Sequence, residues 1–232
     1  MWNVISNFIP TDIDIVVYGG EKVKEIDNAS DSNVFVYLAK IEDIKLCSAD
    51  IGTSEENKEN KVLLQRNSGL ALLKYAVKDR WGIDEDLNKI KVSENGKPYV
   101  DNYKFSISHC GNLVCVAISK VEVGVDLECV TRGRDWRGLR RRVLTSQEKE
   151  LLAEDSQTMT ENWTKKEAVF KLVGGKVFSP SNIDIGKYYT DTLSGISCED
   201  NDFVLSIATN DKTNNYLFVK KAFLYNNTWE LD

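Results

Sequence analysis

Two acidic residues two positions apart, Asp126 and Glu128, stand in the stretch Val-Glu-Val-Gly-Val-Asp-Leu-Glu-Cys-Val at residues 121–130. Val121, Val123, Val125, Leu127 and Cys129 alternate with Glu122, Gly124, Asp126 and Glu128, which predicts a half-buried β-strand. Both acids then point the same way, beside a glycine that lets something large approach the backbone. Side-by-side carboxylates repel unless a cation sits between them. A hard divalent ion that takes oxygen ligands, Mg²⁺ first, is the natural guest. Taken alone, an ordinary strand with a solvated acidic face explains the stretch better.

Three further constellations change that balance. In Trp163-Thr164-Lys165-Lys166-Glu167-Ala168-Val169-Phe170-Lys171, a helix stacks Trp163, Glu167 and Lys171 on one face at i, i+4 and i+8. By itself this is a surface Glu–Lys pair worth a few tenths of a kcal/mol. His109 is the only histidine in the chain and follows Ser108 at a predicted strand end, just before a glycine turn. A lone histidine is more often structural, but an exposed strand end suits a ligand contact. Gly96-Lys97-Pro98 reads as a tight turn carrying an exposed lysine.

The elements that must position these residues follow from pattern. Ile13, Ile15 and Val17 alternate in a first strand before Gly19-Gly20, and residues 28–33 are a turn-rich break. Residues 34–41 are a strand by their β-branched and aromatic content. The polar, acidic stretch 51–60 leads into an amphipathic helix over 61–81, with Leu63, Leu70, Leu73 and Val77 on its buried face and Gly82 at its end. Two short strands flank the turn at 95–98. Phe105 to His109 alternates, Cys110-Gly111-Asn112 is a hairpin connection, and 113–118 is apolar enough for a strand buried on both faces. Thr145 and Glu148 form a capping box for a helix through Leu151 and Leu152. A second helix covers 162–173 and stops at Gly174-Gly175. Two last strands, 203–209 and 216–225, are joined by a polar turn.

Composition sets the outer bounds. The chain has 232 residues, 42% hydrophobic and 28% charged, with a net charge of −6, so no global basic field points to nucleic acid. Its five cysteines are odd in number and lack CxxC spacing. That argues against a disulfide framework and a zinc site, and for a reducing, cytoplasmic setting. The first residues carry no signal-peptide pattern, and no apolar run spans a membrane. The sequons at Asn28, Asn162 and Asn226 therefore carry no weight. One segment departs from the acidic average: Arg132, Arg134, Arg137, Arg140, Arg141 and Arg142 are opposed only by Asp135.

Taken in order, GKPY, SISH, GVDLE and WTKKEAVFK resemble the motifs of the Sfp-like 4′-phosphopantetheinyl transferases. Each motif is weak alone; four in the right order are specific. The resemblance covers residues 96–180 well and the terminal strands more loosely. It implies an α+β fold of two similar halves related by a pseudo-two-fold, here residues 1–120 and 121–232, with the active site in the cleft between them. It implies a monomer, since a pseudo-dimer has already buried its two-fold surface. The activity implied is transfer of phosphopantetheine from coenzyme A to a serine of an acyl or peptidyl carrier protein, releasing adenosine 3′,5′-bisphosphate. Asp126, Glu128 and Glu167 would hold Mg²⁺, with Glu167 also the general base and Lys171 neutralising the pyrophosphate. Lys97, Ser108 and His109 match coenzyme-binding positions, His109 toward the 3′-phosphate. The basic segment Arg132 to Arg142 suits an acidic carrier protein. Nucleic acid is not expected there, because only Trp136 interleaves the arginines.

The N-terminal half departs from the family pattern. Where an arginine is expected the chain has Gln65, with Arg66 one place off, so Arg66 is the candidate there. The competing reading is a non-catalytic module that binds coenzyme A or a carrier. A weaker one is an unrelated Mg²⁺-dependent nucleotide enzyme.

Overall fold

A strand is buried on both faces only if nearly every position is apolar. Residues 113–119, Leu-Val-Cys-Val-Ala-Ile-Ser, meet that condition and are buried throughout. They lie inside the first of two four-stranded sheets. The computed structural model describes residues 13–17, 34–41, 58–130, 134–153, 155–197, 202–210, 216–218, 222–225 and 228–231. The break at 28–33, the acidic run 51–57, Cys47, Cys198, Arg132 and the turn 211–215 lie outside them.

The first sheet holds β2 (Val34–Lys40), β5 (Lys104–Cys110), β6 (Leu113–Ser119) and β10 (Tyr216–Phe218), in the order β10-β2-β6-β5. The second holds β1 (Ile13–Val17), β7 (Val123–Cys129), β8 (Tyr189–Ser197) and β9 (Asp202–Thr209), in the order β1-β8-β9-β7. Pairing is antiparallel except between β10 and β2. Two short hairpins pair β3 (Lys91–Val92) with β4 (Pro98–Tyr99), and β11 (Ala222–Tyr225) with β12 (Thr228–Leu231). The helices are α1 (Lys58–Trp81), α2 (Trp136–Val143), α3 (Ser146–Leu151) and α4 (Ser156–Val173).

Alternation along the strands sorts the core into layers. Phe35, Tyr37 and Ala39 with Val114, Val116 and Ile118 pack on Leu72, Leu73, Ala76 and Val77 of α1. The opposite faces of β2 and β6 present Val34, Val36, Leu38, Leu113 and Cys115 to Val123, Val125 and Leu127 of β7 and to Phe203, Leu205 and Ile207 of β9. Beyond the second sheet, Ala168, Val169 and Leu172 of α4 rest near Ala208. The order is helix, sheet, sheet, helix, an α+β arrangement. Truncating any of these large side chains to alanine costs roughly 2–5 kcal/mol.

Where the two sheets meet, β5 and β7 lie side by side. The Ser106 hydroxyl oxygen accepts from the Val125 amide at 3.0 Å, and that of Ser108 from the Leu127 amide at 3.1 Å. One turn-ward step further, Cys110 and Cys129 are joined as a disulfide. This corrects the expectation drawn from cysteine number and spacing. The fold brings together two strand ends that are nineteen positions apart, a proximity that spacing does not reveal. With a disulfide present, the cysteines no longer favour a reducing compartment. Cys115 is a free, buried thiol.

Other boundaries shift as well. The last long helix starts at Ser156, six residues before the predicted start, because Asp155 caps it by accepting from the Thr158 amide at 2.9 Å. The strand β8 was not anticipated, since Tyr-Thr-Asp-Thr lacks apolar alternation. The final strands form no hairpin with each other: β9 has both sides taken by β7 and β8, so β10 joins β2 in the first sheet. Among the described residues no helix is long and apolar enough to cross a membrane.

Candidate active site

The second sheet and α4 build the site from Gly124 outward. A Cβ at Gly124 would overlap the Ala168 carbonyl oxygen and the Leu172 amide nitrogen. The large object admitted by that glycine is therefore α4 itself, lying with its backbone on β7. The strand's even positions face the helix, so Asp126 and Glu128 meet the face that carries Trp163, Glu167 and Lys171. Gly174, at φ 72°, ends the helix just beyond.

One oxygen each from Asp126, Glu128 and Glu167 lies within 4.8 Å of the others. The Lys171 ammonium donates to Asp126 Oδ1 at 2.6 Å and to Ser108 Oγ at 2.8 Å. Ser108 in turn donates to Asp126 Oδ1 at 2.9 Å. Asp126 is 2% exposed, and its Oδ2 is buried with no hydrogen-bond partner. A buried carboxylate oxygen left this way is costly unless something else answers it. Burial and the charge of Asp126 push Glu167 up to about 8, against the pull of Lys171. Glu128 is also raised, by burial and Asp126, with Trp163 and Arg134 opposing. For Lys171, burial pulls down but Asp126 outweighs it, so the ammonium is held. Three crowded acids, one with an orphaned oxygen and one driven toward its neutral form, fit a hard divalent cation.

The remaining predicted residues are placed differently. His109 is exposed at the end of β5, two residues before Gly111, and partial desolvation of its ring, with the charge of Lys171, lowers its pKa. Ser108 is buried, and its hydroxyl is engaged by Leu127, Asp126 and Lys171. Against the turn after His109 stands Gln65, whose Nε2 lies 3.5 Å from the Gly111 carbonyl, while Arg66 is exposed. Lys97 lies at the far end of α4, donating to the Leu172 carbonyl at 3.0 Å and to Glu122 at 3.3 Å. It lines a cavity of about 810 Å³ with Tyr99, Phe105, Gly174 and Tyr188.

Two contacts escaped the sequence reading. Trp163 donates its indole N–H to Glu128 Oε1 at 3.1 Å. Lys166, fully buried, pairs with Glu148 at 2.8 Å and donates to the Pro180 and Ile183 carbonyls at 2.9 Å. Glu148 also closes the α3 capping box through the Thr145 amide. Lys166 thus fixes the rotation of α4, on which Glu167 depends. The basic segment folds as α2, with Trp136 buried and Arg137, Arg141 and Arg142 exposed.

Residues 122–214 match the model of the 4′-phosphopantetheinyl transferase superfamily. Over those residues the chain is similar to that superfamily. The matched region contains all three acids, Trp163 and Lys171. Curated relatives agree with it. A 4′-phosphopantetheinyl transferase AcpT of Salmonella typhi is 29% identical over 140 residues, covering 53% of this chain and 73% of the relative. The AcpT of Escherichia coli K12 is 26% identical over 183 residues, covering 75% of this chain and 89% of the relative. The superfamily match begins after the first sheet's strands β2, β5 and β6, so the half of the chain that departs most from the family pattern is the half it leaves out.

Proposed function

We propose that the chain transfers the 4′-phosphopantetheine arm of coenzyme A to a serine of an acyl or peptidyl carrier protein, with Mg²⁺, releasing adenosine 3′,5′-bisphosphate. The observation that carries this reading is the convergence of Asp126 and Glu128 from β7 with Glu167 from α4. These three would hold Mg²⁺, which when bound neutralises pyrophosphate oxygens. The serine oxygen forms a bond to the phosphorus that bears the pantetheine arm. The bond from that phosphorus to the bridging oxygen breaks, and its electron pair leaves with the adenosine bisphosphate. Glu167 takes the serine proton, directly or through a water. Lys171, held charged beside Asp126, neutralises the charge that builds on the leaving pyrophosphate oxygen.

The coenzyme is read as reaching from this cluster into the N-terminal half. His109, exposed at the end of β5, is assigned to the 3′-phosphate, with Arg66 on α1. Ser108 contributes by holding Asp126 as well as by facing the coenzyme. Lys97, the remaining coenzyme candidate, lines a cavity at the opposite end of β5 from His109. The Sfp-like reading is of two related halves, residues 1–120 and 121–232, in a monomer with the cleft between them; two four-stranded sheets support two lobes, although β1 and β10 each pair in the other half's sheet. The exposed arginines of α2 offer an acidic carrier protein a docking face.

The test is the mass of an apo carrier protein incubated with the enzyme. It should gain one phosphopantetheine only when coenzyme A and Mg²⁺ are both present. An unchanged mass across fatty-acid and peptide-synthesis carriers would overturn the reading.

A further inference from the structure

A metal-binding carboxylate needs an orienting hydrogen bond on its outer side as well as a cation on its inner side. Asp126 has two such donors, Lys171 and Ser108. Glu128 carries one more rotatable bond than Asp126, and the donor that steadies it is the indole of Trp163, at 3.1 Å. The ring is itself fixed. It packs on the cluster of Trp136, Val143, Leu144 and Met159, and the edge of Phe178 meets it at 5.2 Å. The Arg134 guanidinium lies 5.3 Å from its centroid and 4.6 Å from that of Trp136. An N–H whose direction is set by apolar packing on several sides makes a stiff donor.

We propose that Trp163 is a positioning residue: its indole N–H pins one oxygen of Glu128 and thereby turns the carboxylate toward Asp126 and Glu167 for the cation. This rests on the metal reading above and adds a residue to it. An indole suits the task because it donates without carrying charge. A lysine or arginine in its place would compete with the cation for the same acid, as an ammonium already does at Asp126. Its place one helical turn before Glu167 couples the two ligands through α4, since any rotation of the helix that moved Glu167 would also pull the indole from Glu128.

Trp163→Phe keeps the packing and removes the donor. Manganese binding to the whole protein, followed by electron paramagnetic resonance without coenzyme A or carrier, should weaken about tenfold. Thermal unfolding of the metal-free variant should stay within a few degrees of wild type. Glu128→Ala should weaken manganese binding further, and adding Trp163→Phe to it should cost nothing more, because the donor no longer has its acceptor. If Glu128→Ala leaves manganese binding unchanged, the metal reading itself fails. If Glu128→Ala weakens it and Trp163→Phe does not, or the two losses add in full, the positioning role fails and the metal reading stands. Should Trp163→Phe not fold, the indole N–H spectrum decides. Among the five tryptophans, one resonance should move upfield in Glu128→Ala, and no movement overturns the proposal.

Discussion

The two ends of the candidate site are built to different standards. At the carboxylate end, β7 and α4 touch backbone to backbone at Gly124, and Asp126 and Glu128 each have a named donor that fixes them. At the other end, His109 and Arg66 are exposed, and Gln65 spans a long 3.5 Å to Gly111. Burial and bonding make the first end rigid before anything binds. The second end meets its ligand with groups that remain to be ordered, which costs conformational entropy at the moment of binding. The contrast teaches that metal binding and coenzyme binding are separable here, and that mutations should split accordingly between turnover and affinity.

The largest effect should come from the rigid end. Glu167→Gln should lower the rate of carrier modification about 10³-fold at saturating Mg²⁺, with coenzyme affinity nearly unchanged. A variant that keeps full rate would remove Glu167 from proton transfer. Next, Gly124→Ala should destabilise the protein by about 3 kcal/mol in urea unfolding, because a methyl must push backbone rather than a side chain. Tolerance of that methyl would mean that the strand–helix contact is not the stiff element it appears from its geometry.

The pH dependence sharpens the same contrast. Glu167 is raised to about 8 in the fold, from an ordinary value of 4.5. A raised acid holds its proton more tightly when folded. Its stabilisation is complete below the unfolded value and is lost as pH climbs through the folded one. Metal-free protein should therefore lose thermal stability as pH rises through this window, and Glu128, also raised, adds in the same direction. The protection conferred by Mg²⁺, read as the shift in unfolding temperature, should grow over the same range. A protection independent of pH would argue against Glu167 as a ligand.

Smaller effects belong to the open end. His109→Ala should raise the KM for coenzyme A about tenfold with kcat little changed, the loss of one hydrogen bond to a charged group. Arg66→Ala, at an exposed position, should change KM by less than about threefold. An Arg66 effect as large as that of His109 would show a coenzyme grip better formed than exposure suggests.

How much of this could be read from the chain alone follows the same division. The strand of Asp126 and Glu128 was legible because period-two alternation names both its faces at once. The shared face of Trp163, Glu167 and Lys171 was legible because helical spacing does the same. The bond from Trp163 to Glu128 was not, because it joins segments 35 positions apart and no local pattern encodes it. The helix α2 was hidden by its arginines, although Trp136, Leu139 and Val143 already fall at i, i+3 and i+7. The joining of Cys110 to Cys129 was hidden for a third reason: it is decided by which strand ends meet, and strand order across two sheets is not a local property. The register at Gln65 and Arg66 sits between these cases. The sequence raised the question; in the structure Gln65 faces the Gly111 turn and Arg66 is exposed.

An open strand edge offers unsatisfied amides to any other chain that passes, and this is how many β-proteins aggregate. The strands β5 and β7 each end their sheet on the same side, so each would be such an edge. Here the hydroxyls of Ser106 and Ser108 cap the amides of Val125 and Leu127 without zipping the two strands into one continuous sheet. Both bonds are buried, so the two strands cover each other's edge at the seam between the sheets. Replacing both serines by alanine would leave two buried amides without an acceptor, at a cost of about 1–3 kcal/mol each.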